Sequence, residues 1–185
     1  DVGGVLLIDG WDQQARKRAA TKFKLDAVEM NERHHLTFET FEEGKLSMED
    51  YLTLVVCHQK RPFSRAEFRR FMFAQTKPHP QMIALAAQLK AQHRLKIAVV
   101  SNDAREFNAH RIQKFKLGVF VDFFVSSCFV HVRKPDGEIF RFALDIAQTP
   151  ARQVLYIHTT ALFIQLAEAM CNRAIHHTDY ESPPA

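Results

Sequence analysis

The stretch "LSMEDYLTLVV" carries Met48, Tyr51, Leu52, Val55 and Val56 at i, i+3, i+4, i+7 and i+8. That spacing puts one apolar stripe on a helix. Ser47 is placed to cap it, Asp50 follows three residues on, and Leu46 is placed to staple against Tyr51. The same device recurs in "FSRAEF": Ser64 caps, Glu67 closes the box and Phe63 faces Phe68. Gly44 in "EEGKLS" supplies the turn before the first of these helices. From about residue 13 to 75 the texture is helical throughout.

After "TKPHPQ" the texture changes. A helix over about 80–92 leads into "LKIAVV", an apolar strand ending at Ser101, and "DAREFNAHRIQKF" returns to helix. "DFFVSS" reads as strand, "GEIFRFALDIAQ" as helix, "QVLYI" as buried strand, "ALFIQLAEAM" as helix and "RAIHH" as a last strand. Strands alternating with helices of this length predict a parallel sheet with right-handed crossovers. The expected architecture is an α/β core interrupted near its start by an all-helical insert.

In open parallel sheets ligands bind beyond the carboxyl ends of the strands. The residues falling there are Ser101 and Asn102 after "LKIAVV", Arg133 and Lys134 beyond "DFFVSS", and His158, Thr159 and Thr160 after "QVLYI". Asp1, followed by Gly3 and Gly4, looks like the working end of a further strand. That strand is expected to precede Asp1 near the sheet centre, because its loss would expose unpaired edges. A carboxylate, a hydroxyl, an amide and a lysine on one rim suit an anion. Ser101 and the N–H groups opening the next helix can hold phosphate oxygens, Lys134 can neutralise charge, and the carboxylate can attack phosphorus to form an acyl phosphate.

Composition narrows the class. The 185 residues are 46% hydrophobic and 25% charged, as expected of a globular protein with a real core. The net charge of +4 suits an anionic small substrate but gathers into no basic stripe, so neither nucleic acid nor membrane is expected as a partner. The basic residues of "ARKRAATKFK" are expected on a solvated helix face. Apolar runs fall short of a membrane span, and no leader is read. Cys57, Cys128 and Cys171 are odd in number and far apart, which points to free thiols and a cytoplasmic setting.

With these motifs in order, the chain resembles the haloacid dehalogenase superfamily over essentially its whole length. "DVGGVL" looks like the first motif of that family, "VVSN" the second and "RKPDGEIF" the third, while "VLYIHTT" stands in the place of the fourth. The stretch "EEGKLSMEDY" is similar to part of the family's small cap, and the branch it resembles most is that of small sugar-phosphate phosphatases. The resemblance implies a three-layer Rossmann-like parallel-sheet core from residues 1–12 and 79–185, with a helical-bundle cap over 13–78. It implies Asp1 as nucleophile, Ser101, Asn102 and Gly3 as substrate-binding residues, and Lys134 as the residue steadying both. Magnesium would be held by Asp1 and the Gly3 carbonyl. Trp11, Asp12, Phe41 and Glu42 are candidates for substrate selection.

Two departures shape the expected chemistry. Many members carry an aspartate two positions after the nucleophile as general acid and base. Here Gly3 stands there, and Asp9 and Asp12 are the nearby acids, read as solvated loop acids at the cap hinge. The fourth motif, which should present aspartates to magnesium, has His158, Thr159 and Thr160, with no carboxylate until Glu168. Magnesium prefers carboxylate oxygen, so impaired magnesium binding is expected. His158 as a ligand for a softer metal finds no partner at ligand spacing. His176 and His177, adjacent on a strand, point to opposite faces. The function expected is a phosphatase-type hydrolase of a small phosphorylated metabolite. The alternatives are a silent relative that binds without catalysis and a metal-free 2-haloacid dehalogenase.

Overall fold

The computed structural model describes residues 1–171 and 173–178, and structural statements refer to these. Four helices come first: α1 (Gln13–Phe23), α2 (Ala27–Glu42), α3 (Met48–Val55) and α4 (Arg65–Ala74). Each start is capped by the side chain the sequence offers there. Asp12 accepts from the Ala15 amide, Asp26 from the Val28 and Glu29 amides, and Ser47 and Asp50 form a reciprocal box. Ser64 accepts from the Glu67 amide. Met48, Tyr51, Leu52, Val55 and Val56 are all buried, as the stripe predicts.

Phe23, Phe41, Phe68 and Met72 join that stripe in one cluster, which runs on into Ala104 and Phe107 of the following fold. Its polar hub is Tyr51. The Tyr51 hydroxyl accepts from the Trp11 indole N–H and donates to His34 Nδ1, each at 2.8 Å, while its ring stacks on Phe41 at 4.3 Å. The face of α1 expected to be solvated holds an exception. Lys17, Arg18, Lys22 and Lys24 are exposed, but Arg16 is buried. Its guanidinium donates to Asn31 Oδ1 and the Trp11 carbonyl, which satisfies the charge-bearing group out of water.

The remainder alternates as the texture change predicts. It comprises α5 (Pro80–His93), β1 (Ala98–Ser101), α6 (Arg105–Lys114), β2 (Phe123–Ser126), α7 (Ser127–Val130), α8 (Glu138–Ala147), β3 (Tyr156–His158), α9 (Ala161–Cys171) and β4 (Ala174–His176). The fold is the α/β, Rossmann-like one. The strands are short and pair parallel as two couples, β1 with β2 and β3 with β4. Asp1 and Val2 sit at the seam: the Asp1 backbone nitrogen donates to the Ile157 carbonyl at 3.3 Å, and Val2 packs in one cluster with Val99. β3 reaches one residue further than expected, so His158 ends the strand rather than following it.

The helical block docks through the C-terminal end of α2. Arg133 pairs with Glu39 at 2.8 Å and Glu42 at 3.0 Å, the Ser127 hydroxyl donates to the Glu42 carbonyl, and His131 Nδ1 donates to that of Glu43. Backbones also come close at Gly44, with φ +69°, where a Cβ would fall 2.2 Å from the Cys128 carbonyl oxygen. Only glycine meets both demands. Cys57 and Cys128 are free thiols, and the Cys171 side chain lies outside the described residues. Among the described residues, no helix is long and apolar enough to cross a membrane.

Phe68 is fully buried against Trp11, Phe23 and Phe63. Phe68→Ala is therefore expected to cost about 3–5 kcal/mol in denaturant unfolding, against less than about 0.5 kcal/mol for the exposed Leu36→Ala. Burial, with help from Arg16, lowers the His34 imidazole to about 3. Between the ordinary value near 6.5 and about 3, the unfolded chain binds a proton that the folded one refuses. This group's contribution to stability thus falls as pH drops through that window. Unfolding followed across the window should show a shallower acid loss in His34→Gln than in the parent.

Candidate functional site

Three side chains from distant parts of the chain meet at the seam. Asp1 Oδ2 lies 2.8 Å from His158 Nε2, and Asp1 Oδ1 lies 3.2 Å from Lys134 Nζ. The Val2 amide also donates to Oδ1, at 2.8 Å. Lys134 is 1% exposed, His158 4% and the Asp1 side chain 10%. Each is delivered by local structure: His158 by the end of β3, Asp1 by the turn that bridges Gly3 to Leu7, and Lys134 by the loop after α7.

The lysine loop is fixed by Asn102. Its side-chain N–H donates to the Lys134 carbonyl at 2.9 Å, and its Oδ1 accepts from the Lys134 amide at 2.8 Å. The amide clasps the lysine backbone as a neighbouring strand would. Ser101 ends β1 opposite Ser126 and is 1% exposed. Lys134 Nζ donates to the Val100 carbonyl and lies 5.3 Å from the Phe163 ring centroid. Phe163 also meets His158 edge-on, so the trio has an apolar wall.

The hydrogen bonds define the state of His158. The Thr160 amide donates to Nδ1 at 2.8 Å, so the single ring proton of the neutral imidazole sits on Nε2 and points at Asp1. Burial first, and Lys134 next, hold this imidazole down at about 3, which keeps it neutral. Burial also pushes the Lys134 ammonium down to about 7, against the upward pull of Glu42 and Asp9. Lys134 Nζ and His158 Nε2 lie 3.0 Å apart, two donors brought together by a shared carboxylate.

This donor set does not fit magnesium. A carboxylate offers about four lone-pair sites, and Val2, Lys134 and His158 take three of them. The residue in the fourth-motif position turns an N–H, not a lone pair, toward Asp1. The hydroxyl of Thr159 lies against Gly4, where a Cβ would fall 2.6 Å from Oγ1. Among the described residues no three His, Cys, Asp or Glu side chains converge to hold a metal ion.

Asn102, which clasps the Lys134 backbone, also lines a cavity of about 160 Å³ together with Asp9 and all four selection candidates, Trp11, Asp12, Phe41 and Glu42, while Asp1, Lys134 and His158 themselves do not line it. Each candidate also has a structural duty: Trp11 on Tyr51, Asp12 capping α1, Phe41 stacked on Tyr51 and Glu42 paired with Arg133. Asp9 takes the space over Gly3; a Cβ there would fall 2.6 Å from Asp9 Oδ1. The acid read as a hinge residue therefore stands where a side chain at position 3 would point. Sequence reading missed the buried Asp103–Arg111 pair at 2.9 Å on the same cavity, where burial raises the Asp103 carboxyl to about 6. Its one available signal was an acid next to the strand-end asparagine. His176 Nε2 donates to the Thr159 carbonyl at 2.9 Å.

Curated proteins give no match to the sequence. In structure the chain is similar to a HAD family enzyme of Bacteroides thetaiotaomicron, solved with magnesium and inorganic phosphate. That likeness has a TM-score of 0.80 at 15% identity, over 98% of this chain and 94% of that one. A HAD-like family hydrolase from Porphyromonas gingivalis gives 0.74 at 15% identity, over 95% and 87%. The L-2-haloacid dehalogenase of Xanthobacter autotrophicus, with chloropropionic acid covalently bound, gives 0.61 at 14% identity, over 91% and 71%. At these identities the likenesses speak for the fold. The model of the haloacid dehalogenase-like hydrolases matches residues 1–157, and the chain belongs to that hydrolase family.

Proposed function

We propose that the protein is a phosphatase-type hydrolase of a small phosphorylated metabolite, in which Asp1 forms a covalent aspartyl-phosphate. The observation that carries this reading is the Asp1 carboxylate held between Lys134 and His158 at 3.2 and 2.8 Å. Three of its lone-pair sites are engaged, and the one left on Oδ2 would attack phosphorus. The bond from phosphorus to the ester oxygen breaks and the oxygen leaves with a proton. Water then attacks the same phosphorus, which releases phosphate and restores the carboxylate. Lys134 faces the developing negative charge, and an arriving phosphate favours its charged form. Asp9, on the cavity wall over Gly3, would carry the leaving-group proton.

A second reading has one observation in its favour. A donor set that excludes magnesium also suits displacement of halide from a 2-haloacid, a step that needs neither metal nor proton donor. The phosphatase reading is preferred because an alkoxide leaving group gives Asp9 a role and a halide does not. The helical block α1–α4 would serve as the cap, with the cavity between it and the strand ends as the substrate site.

Phosphate release from p-nitrophenyl phosphate tests this. Turnover is expected, falling to background in Asp1→Asn, a loss of up to ~10⁶-fold for a deleted nucleophile. Lys134→Met is expected to lose ~10²–10³-fold. Halide release from a 2-haloacid without phosphate release would establish the second reading, and neither activity would leave a silent relative. The lysine must be charged to act; burial lowers its ammonium to about 7 and the Asp1 carboxylate 3.2 Å away opposes that, so the charged form is lost on the alkaline side. A fall of kcat/KM toward alkaline pH, absent in Lys134→Arg, is therefore expected in a pH–rate profile.

A further inference from the structure

We infer that His158 permanently occupies the place a divalent cation would take at Asp1, so that this protein's nucleophile works without metal. The inference shares its site with the proposed function but concerns how the carboxylate is held, whatever substrate it attacks. A metal at a carboxylate nucleophile fixes one oxygen and offsets its charge. Here the Nε2–H of His158 fixes Oδ2 at 2.8 Å, and Lys134 offsets charge from Oδ1 at 3.2 Å.

The histidine is built for this duty from both sides. The Thr160 amide on Nδ1 fixes the tautomer that presents a donor to Asp1. Phe163 edge-on and Tyr156 stacked fix the ring plane. Any cation approaching Oδ2 would meet the Nε2 proton within hydrogen-bond distance, with the Lys134 ammonium 3.0 Å from that same nitrogen. One ammonium, one imidazole N–H donor and one spare lone pair make a poor metal site, and that lone pair is the one the attack requires. His158 is thus a positioning residue for Asp1, and an aspartate in its place would remove the proton and add a negative ligand beside the same oxygen.

The test uses magnesium itself as probe, on the full chain, by titration calorimetry and by thermal shift. The parent protein should show no binding heat and no shift at millimolar magnesium. His158→Asp should gain both, and His158→Asn, of the same size but uncharged, should gain neither. Circular dichroism establishes that each variant is folded. Magnesium binding by the parent would overturn the inference, as would a folded His158→Asp that binds none or an equal gain in the asparagine variant. Should His158→Asp not fold, the parent decides alone: no magnesium binding, with any turnover of p-nitrophenyl phosphate indifferent to a chelator, upholds the inference, and turnover abolished by the chelator overturns it. These binding arms read out even if the protein hydrolyses no phosphate ester, so failure of the proposed function is separable from failure of this inference.

Discussion

A carboxylate buried to 10% exposure must be paired or protonated, and the pairing of Asp1 organises the rest of this molecule. Three donors converge on it from positions 2, 134 and 158. Each donor needs its own support. Lys134 is held by the Asn102 amide, His158 by the Thr160 amide and Phe163, and the Asp1 backbone by β3. The two parallel strand couples matter to function because their carboxyl ends deliver these groups to one seam.

The helical block is tied to the same centre. Arg133, next to Lys134, pairs with Glu39 and Glu42 at the end of α2, and Glu42 lines the cavity beside Asp9 and Asn102. Movement of the block would therefore pull on the loop that carries the lysine. The Glu42 carboxyl, raised by burial and restrained by Arg133, adds negative potential that favours the charged form of Lys134. The position of the helical block and the charge state of Lys134 are thus coupled through one short loop.

Sequence pattern made much of this legible. Apolar spacing and capping residues marked α3 and α4, because those signals act within a few residues of one another. The strand-end rule gathered Ser101, Asn102, Lys134 and His158, because a parallel sheet puts those positions on one rim whatever lies between. What escaped was long-range or depended on orientation. The Asn102 clasp spans 32 positions, Asp9 reaches Gly3 only through the turn they share, and Arg16 looks like any surface cation until α2 closes over it. The resemblance marked His158 as standing where a metal ligand is expected; the amide on its Nδ1 shows that the ring presents a donor there.

The proton of that imidazole decides whether Asp1 can be held without metal. Nitrogen NMR of the His158 ring at neutral pH, with and without magnesium, observes it directly. The predicted result is a neutral ring protonated on Nε2 and bare on Nδ1, with signals unmoved by millimolar magnesium. A ring protonated on Nδ1, or one whose Nε2 loses its proton as magnesium is added, would contradict it.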